Sequence, residues 1–284
     1  MIRVTAPLAQ CQVDLGQLVL GRELGRGAFG VVLAARYFGQ DVAVKRFQGD
    51  QAAALLAEAA SLAHLRHDCI VGIRAVCTDP AAHDADGREV GLALVMQLAR
   101  RGSLLDLARN PARRKELRGR RRWLLFLSQA AHGVFYLHSQ SILHRDIKAG
   151  NLLVTELLQP LVADFGLACR AGGGAASEGT AAYMAPELLE GGAATRETDA
   201  YAFGLVMWFT ACAAEAPGQE AAEPWVGEQF QDVMQLVLGG ERPEWPEKLR
   251  KLDSLQRFRQ VVSRPLYILI PYSVDCGAAD SSRS

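Results

Sequence analysis

The sequence has no excess of charge of either sign, because 31 lysine and arginine residues balance 31 aspartate and glutamate residues. Binding to nucleic acid or to an anionic membrane through the overall field of a protein requires a clear basic excess. The composition therefore predicts no nucleic-acid partner and no general attraction to a membrane surface.

The sequence also lacks a cysteine framework. Six cysteines are present, with no C-x-x-C pair and no dense spacing. A disulfide scaffold or a zinc site would need one or the other, so reduced thiols in a cytosolic protein are the better interpretation. These residues are Cys11, Cys69, Cys77, Cys169, Cys212 and Cys276.

Long hydrophobic runs are missing too. Met1–Gln12 has no apolar core of the kind found in a secretory signal, and the most apolar helical segment, Tyr201–Ala214, is too short to span a bilayer. No internal repeat is present. A chain of 284 residues exceeds one typical core, so two lobes are expected.

What the sequence does have is a short, ordered set of polar groups. Asp146, Lys148 and Asn151 lie within six residues, and Asp164 follows thirteen residues after Asn151. Hard cations such as Mg²⁺ take oxygen ligands and share them with substrate phosphates. A carboxylate beside a lysine can orient a hydroxyl group while the lysine neutralises a phosphoryl group. The pattern favours phosphoryl transfer.

Secondary-structure patterns divide the chain in two. Alternating or β-branched runs predict antiparallel strands, and Ala/Leu-rich runs at helical spacing predict helices. The predicted strands are Val19–Leu24, Val31–Tyr37, Asp41–Phe47, Ile70–Cys77 and Val90–Gln97, and the predicted helices are Gln51–Leu65, Leu104–Ala108 and Trp123–His138. The fold class is therefore α+β, with a hinge near Gln97–Arg101 and a ligand cleft at that hinge.

Three glycines, Gly25, Gly27 and Gly30, lie between the first two predicted strands. Without Cβ atoms, backbone N–H groups can close over anionic phosphates. A hairpin turn without a ligand is the plain alternative. The strand-to-strand position differs from the strand-to-helix context of a dinucleotide-binding turn.

One segment of the sequence concentrates positive charge. Docking to an acidic partner, or nuclear import, is one interpretation; a solvated loop leading into the helix near Trp123 is the other and the simpler one. The cluster comprises Arg113, Arg114, Lys115, Arg118, Arg120, Arg121 and Arg122.

Six short motifs follow one another along the chain: Gly25–Val32, Val42–Lys45, His144–Asn151, Asp164–Gly166, Gly179–Glu187 and Asp199–Gly204. In this order they resemble the motifs of the eukaryotic protein kinases, over about residues 18–245. Within that family the last two motifs are similar to the tyrosine-kinase-like group, which includes mixed-lineage and Raf-like enzymes.

The resemblance implies a two-lobed kinase fold that binds ATP and Mg²⁺. Lys45, paired with Glu58, would hold the ATP phosphates, while Asn151 and Asp164 would hold the metal. Met96 would be the gatekeeper, and Gln97 and Ala99 would offer hinge backbone groups. The implied ATP-binding residues are Leu24, Gly25, Arg26, Gly27, Ala28, Phe29, Gly30, Val32, Ala43, Lys45, Met96, Gln97, Ala99 and Leu153.

The resemblance also implies roles at the catalytic loop. Asp146 would accept or orient the substrate hydroxyl, and Lys148 would stabilise the transferred phosphoryl group. Thr180 would bond both residues, and the Lys148–Thr180 combination is typical of serine/threonine kinases. The remaining implied residues are His144 and Phe165, which would pack in the core, and Arg145 and Ser177, which would form a phosphate-dependent switch.

The expected activity is that of an ATP-dependent protein serine/threonine kinase acting on a protein hydroxyl, in the cytoplasm or also in the nucleus. A pseudokinase scaffold is the alternative if the C-terminal end prevents a stable active fold. That end has no C-W or D-P motif, and Arg264-Pro265 is the single candidate for the final motif, whose arginine would pair with Glu187. The expected division is an extension at 1–17, a small lobe at 18–97, a large lobe at 98–265 and a divergent, partly disordered tail at 266–284.

Overall fold

The computed structural model describes residues 12–27, 30–47, 52–170, 179–215, 223–251 and 256. An antiparallel sheet with one long helix comes first in the chain, and a mostly helical part follows. The α+β class predicted from the sequence is confirmed.

The sheet has five strands in the order β1-β2-β3-β5-β4, and every neighbouring pair is antiparallel. Two small two-stranded sheets, β6-β9 and β7-β8, belong to the helical part. The strands are β1 (Leu18–Gly27), β2 (Gly30–Tyr37), β3 (Gln40–Arg46), β4 (Ile73–Cys77), β5 (Ala93–Gln97), β6 (Ile142–Leu143), β7 (Leu152–Val154), β8 (Pro160–Val162) and β9 (Cys169–Arg170).

The predicted start of the fourth strand was wrong. Cys69–Val71 pairs with the helical part instead: the Val71 N–H donates to the Val162 carbonyl at 2.9 Å, and the Val162 N–H donates to the Cys69 carbonyl at 2.8 Å. The Arg66 N–H also donates to the Tyr136 hydroxyl at 3.0 Å. Both environments suit buried β-branched residues, so the local pattern could not distinguish them.

The β5 strand likewise begins later than predicted. The Val90 N–H is donated to the Ala82 carbonyl at 2.8 Å, within the loop between β4 and β5. That loop covers the outer edge of β1: Asp84 Oδ2 accepts the Leu20 N–H at 2.7 Å, and the Ala85 N–H donates to the Leu18 carbonyl at 2.9 Å. These contacts satisfy backbone groups of Leu18 and Leu20 at the sheet edge.

The helices are α1 (Ala52–Ala63), α2 (Leu104–Arg109), α3 (Pro111–Arg114), α4 (Arg120–Ser139), α5 (Pro186–Leu189), α6 (Arg196–Glu215), α7 (Phe230–Leu238) and α8 (Glu247–Arg250). One apolar core runs from α1 through α4 and α6, and Trp123, Leu137 and Phe209 are at most 1% exposed in it. Within the described ranges no helix is long and apolar enough to cross a bilayer.

The loop predicted before Trp123 is partly helical. α3 and a 3₁₀ turn at Lys115–Leu117 precede α4, which already begins at Arg120. The Asn110 side chain accepts the N–H groups of Ala112 at 3.0 Å and Arg113 at 3.3 Å, and Pro111 occupies the first helical position. An asparagine cap followed by proline is a strong helix start.

Candidate active site

A cavity of about 720 Å³ lies between the sheet and the helical part. Its walls come from β1, β2, β3, the hinge and the β7 region, so the predicted hinge cleft is present. Ser103 and Asp106, which were not predicted as site residues, also line it. Predicted ATP-site residues in its lining are Leu24, Gly25, Gly30, Val32, Ala43, Lys45, Met96, Gln97, Ala99 and Leu153.

The Gly-rich turn joins β1 to β2. Gly30 has φ of 133°, and a Cβ atom there would lie 1.9 Å from the Arg46 carbonyl oxygen. A Cβ atom on Gly25 would have no atom within 4 Å, so that side of the strand is open. Arg26 forms an exposed ion pair with Glu23 at 2.8 Å. Of the other predicted residues, Gly27 ends β1, while Ala28 and Phe29 lie outside the described residues.

Backbone hydrogen bonds at the hinge limit which groups can face a ligand. The Gln97 N–H donates to the Gly72 carbonyl at 2.9 Å, and the Ala99 carbonyl accepts the Gly102 N–H at 3.1 Å. Of these two residues, the groups that can face a ligand are therefore the Gln97 carbonyl and the Ala99 N–H. Met96, 9% exposed, lies just before them and lines the same cavity.

Lys45 joins three elements. Its Nζ lies 2.6 Å from Glu58 Oε2 on α1 and 2.8 Å from Asp164 Oδ1. Lys45 is 8% exposed and Glu58 is 1% exposed. Burial works against the ammonium, yet the two carboxylates hold the pKa of Lys45 above its ordinary value, while burial raises the pKa of Glu58. The predicted ion pair is present.

The turn at Asp164 has an unusual backbone. Asp164 has φ of 65°, a conformation that places its side chain toward Lys45 while Phe165 enters the core. The Phe165 ring lies 5.1 Å from the buried His144 ring, and His144 Nε2 is 3.0 Å from the Ala163 carbonyl oxygen. The prediction that His144 and Phe165 pack in the core is confirmed.

The Asp146 carboxylate accepts four hydrogen bonds. Oδ1 receives the Thr180 N–H at 3.1 Å and the Thr180 hydroxyl at 2.7 Å. Oδ2 receives Lys148 Nζ at 2.6 Å and Asn151 Nδ2 at 2.9 Å. Lys148 Nζ also lies 2.8 Å from Thr180 Oγ1, so the predicted triangle is present. Burial opposes ionisation, but hydrogen bonds from Lys148 and Thr180 hold the pKa of Asp146 below its ordinary value.

A second carboxylate, Asp199 on α6, holds the backbone of this loop. Its oxygens accept the N–H groups of His144 and Arg145, both at 2.8 Å, and one lies 2.9 Å from His138 Nε2. Asp199 is 2% exposed. Its supporting role was missed from the sequence, although a carboxylate at the start of an apolar helix was the available signal.

Arg145 lies beside the beginning of residues 164–187, named here the activation segment. It has φ of 69°, and its Nη1 donates to the Leu167 carbonyl at 3.3 Å. Its predicted phosphate-bearing partner, Ser177, lies outside the described residues, and so does Arg264.

The donor set also suits a hard cation. Asn151 Nδ2 donates to the Asp146 backbone and side chain, which directs Oδ1 of Asn151 to the other side. Asp164 Oδ1 forms an ion pair with Lys45, and the Asp164 side chain is 35% exposed. Both residues line the cleft, and an amide oxygen with a carboxylate oxygen is a suitable ligand pair for Mg²⁺.

Comparisons with known proteins agree with this geometry. A family model described as "Protein tyrosine and serine/threonine kinase" matches residues 18–255. The chain is 33% identical to the megakaryocyte-associated tyrosine-protein kinase of Mus musculus over 237 residues, covering 83% of this chain and 43% of that protein.

Two further protein kinases are similar to this chain. The serine/threonine-protein kinase CTR1 of Arabidopsis thaliana is 34% identical, with 67% of this chain and 23% of that protein covered. Mitogen-activated protein kinase kinase kinase 7 of Bos taurus is 31% identical, with 69% and 33% covered. The chain belongs to the protein kinase family, and it spans less than half the length of these relatives.

Proposed function

We propose that this chain is an ATP-dependent protein serine/threonine kinase. The observation that carries the proposal is the pair of connected networks in one cleft: Lys45 with Glu58 and Asp164, and Asp146 with Lys148 and Thr180. The first network suits nucleotide phosphates, and the second suits a hydroxyl acceptor.

In this proposal the adenine ring lies between Leu24 and Val32 on one side and Leu153 on the other. The Gln97 carbonyl and the Ala99 N–H face its polar edge. The ammonium of Lys45, held by Glu58, contacts the α- and β-phosphates. Support comes from the shared cavity lining and from the hydrogen bonds that orient the hinge.

Asn151 and Asp164 are the residues that would hold Mg²⁺. The ion would neutralise charge on the phosphates during transfer. All other steps are assigned to side chains of this chain.

The transfer step is assigned to Asp146. A carboxylate has about four acceptor positions, and Thr180, Lys148 and Asn151 fill them here. A substrate hydroxyl can be accepted only after one donor leaves. Lys148 is the donor that a γ-phosphoryl group would attract, and its departure would open Oδ2. The hydroxyl oxygen then attacks phosphorus, the bond to the bridging oxygen breaks, ADP leaves, and the hydroxyl proton passes to Asp146.

The lowered pKa of Asp146 supports orientation of the hydroxyl early in the reaction and proton acceptance late, since a weak base gains the proton only when the P–O bond is largely formed.

The choice of serine and threonine rests on Lys148 and Thr180, because the hydrogen-bonded triangle occupies the space next to Asp146. Phosphoamino-acid analysis of a mixed substrate such as myelin basic protein tests this part. We expect phosphoserine and phosphothreonine; phosphotyrosine as the main product would overturn it.

Activity itself is tested by transfer of radiolabel from Mg-ATP to the same substrate. Asp146→Asn should abolish transfer, and Arg250→Gln, an exposed change on α8, should not. Nucleotide binding by both proteins without transfer by the wild-type chain would favour the scaffold alternative instead.

The proposed switch involves Ser177. Arg145 adjoins the catalytic aspartate and can pair with a phosphate on the activation segment. We expect Ser177→Ala to lower activity. Full activity in that variant, with no phosphate at residue 177 by mass spectrometry, would remove the switch from the proposal.

The proposed lobes are residues 18–97 and 98–265, and the proposed location is the cytoplasm. The thiols of Cys69, Cys77 and Cys212 support a reducing compartment. Limited proteolysis tests the lobe boundary, and cell fractionation tests the location.

A further inference from the structure

The start of α4 carries a group of exposed cations and leucines, named here the basic surface: Lys115, Arg118, Arg120, Arg121, Arg122, Leu124 and Leu125. Residues 113–122 contain seven basic side chains and one acidic one, in a chain whose total net charge is zero. The charge is therefore a local feature of this surface.

The single acidic residue of that segment does not neutralise these cations. Glu116 pairs with Arg101 of the hinge and lies 3.7 Å from Arg113. Its backbone carbonyl accepts Arg122 Nη1 at 3.0 Å. Within the described ranges, no carboxylate lies at ion-pair distance from Lys115, Arg118, Arg120 or Arg121.

The cations do not stabilise the start of α4 through the helix dipole or a cap. Three arginines occupy its first turn, no acidic residue does, and Gly119 provides no side-chain cap. The N-terminal end of a helix carries partial positive charge, so cations there are unfavourable. Residues that break a local rule without a structural gain are candidates for function.

Apolar side chains accompany the cations. Leu124 is 37% exposed and Leu125 is 57% exposed. Each lies three or four residues after Arg121, so each adjoins it on the helix surface. The opposite face of α4 is buried, with Trp123, Phe126 and Leu127 in the core. Both leucines therefore leave apolar surface open to solvent.

We propose that the basic surface docks an acidic segment of a partner protein, one that combines carboxylates with large apolar side chains. Six of the seven cations at 113–122 are arginine, whose planar guanidinium group pairs with carboxylates in a bidentate way. Carboxylates would complement the charge, and apolar side chains would cover Leu124 and Leu125.

Other occupants fit less well. A single-stranded nucleic acid would stack bases on exposed aromatic rings, but the Trp123 ring is buried and its Nε1 donates to Glu215 at 2.8 Å. A lipid surface requires a broad apolar face, whereas the basic surface has two leucines at the edge of a packed helix.

The test measures binding directly and needs no kinase activity. The probe is a fluorescein-labelled peptide of alternating glutamate and leucine pairs, and its glutamine analogue is the uncharged control. Fluorescence anisotropy with the 284-residue chain should give at least ~10-fold tighter binding of the acidic peptide, which corresponds to about 1.4 kcal/mol. The difference should shrink in high salt.

Arg120→Glu/Arg121→Glu should weaken the acidic peptide at least ~10-fold, and Leu125→Ser about 3-fold, since these are exposed contacts. The matched controls Arg196→Glu/Arg250→Glu and Leu238→Ser change exposed residues elsewhere and should bind normally. Thermal unfolding checks each variant. If the double variant does not fold, Arg121→Gln with Leu125→Ser replaces it.

Equal binding by the double variant and the wild-type chain would overturn the proposal, as would equal binding of the glutamine analogue. Two results would assign the surface to another occupant and overturn it as well. One is sedimentation with phosphatidylserine vesicles, lost in the double variant, with no peptide binding. The other is self-association of the chain, seen as an increase of its mass in solution that the double variant loses.

Discussion

The catalytic loop, His144–Asn151, and the start of α4 differ in how their charged groups are paired. Around Asp146, four hydrogen bonds reach one buried carboxylate, and Asp199 holds the backbone beneath it. At Arg120–Arg122 three like charges stand together in solvent, without a cap. In the first region the charged groups find their partners within the chain. In the second, the proposed docking segment would supply the partners.

This difference separates two kinds of sensitivity to substitution. Removing one member of a satisfied buried network leaves its partners unpaired, which is expensive. Removing one exposed cation relieves repulsion. Substitutions in the catalytic loop should therefore damage the protein on its own, whereas substitutions in the basic surface should weaken association and change the stability of the chain only slightly.

The largest effect on activity is expected in the network of Lys45, Glu58 and Asp164, which is assigned to the nucleotide phosphates. Lys45→Met and Asp164→Asn should each lower turnover by at least ~10²–10³-fold, because each removes a charge directed at the transferring group. Asp164→Asn should leave the unfolding midpoint within a few degrees of the wild-type value, whereas Lys45→Met should lower it further, because Glu58, 1% exposed, loses its partner. Steady-state kinetics at saturating ATP measures the loss, and wild-type turnover in either variant would contradict the site assignment.

Thr180 comes next. Thr180→Ala removes the hydroxyl that bonds Asp146 at 2.7 Å and Lys148 at 2.8 Å, so activity should fall by roughly 10²-fold. Thr180→Ser keeps the hydroxyl and should restore most of it. If alanine and serine behave alike, the hydroxyl has no part in holding Asp146.

A smaller effect, on stability, is expected at Asp84. Burial opposes its charge, but hydrogen bonds from Leu20, Arg88 and Asp86 hold the pKa of Asp84 below its ordinary value. Asp84→Asn should reduce the free energy of unfolding by about 1–3 kcal/mol at neutral pH.

The sign of the pH dependence follows from the depressed pKa. The carboxylate of Asp84 stabilises the fold above its unfolded pKa of about 4, and this contribution is lost as the pH falls through the folded value. Urea unfolding at several pH values should show the two proteins converging in acid. A constant difference would mean that charge is not involved.

The smallest effect is expected in the basic surface. Arg121→Glu should raise the free energy of unfolding by about 0.3–1 kcal/mol at low salt, because an anion replaces a cation in the first turn of α4. Arg121→Gln should give roughly half of that gain. Destabilisation by both changes would show that Arg121 has a structural partner.

Much of the site could be predicted from the sequence because its parts are local motifs. The pairing of Lys45 with Glu58 and the triangle of Asp146, Lys148 and Thr180 were both implied by the resemblance to the protein kinases, which rests on short local motifs. Asp199 and Asp84 were missed because their partners lie 55 and 64 residues away. No local pattern encodes which distant backbone group a buried carboxylate will bind.

Similar reasoning explains the errors in the fold. Asn110-Pro111 was a readable helix start, but the basic composition of the following residues favoured a loop. Ile70 and Val71 suit any buried strand position, so their assignment depended on Val162, which lies far along the chain. In both cases tertiary context decided between states that the local sequence allows.

The anchoring of residues 66–71 to the helical part has a mechanical consequence. A Cβ atom on Gly133 would lie 2.9 Å from the Cys69 carbonyl, so this segment and α4 are in close backbone contact. The end of α1 is thus fixed to the large part of the molecule, although the chain leaves the small part only at the hinge. Ala63 is then the point about which α1 can tilt, and Glu58 lies about 7.5 Å from it along the helix axis. A tilt of ~10° would shift Glu58 by roughly 1 Å, enough to disrupt its 2.6 Å contact with Lys45. Small rotations of α1 would therefore make or break the Lys45–Glu58 contact at the proposed nucleotide cleft.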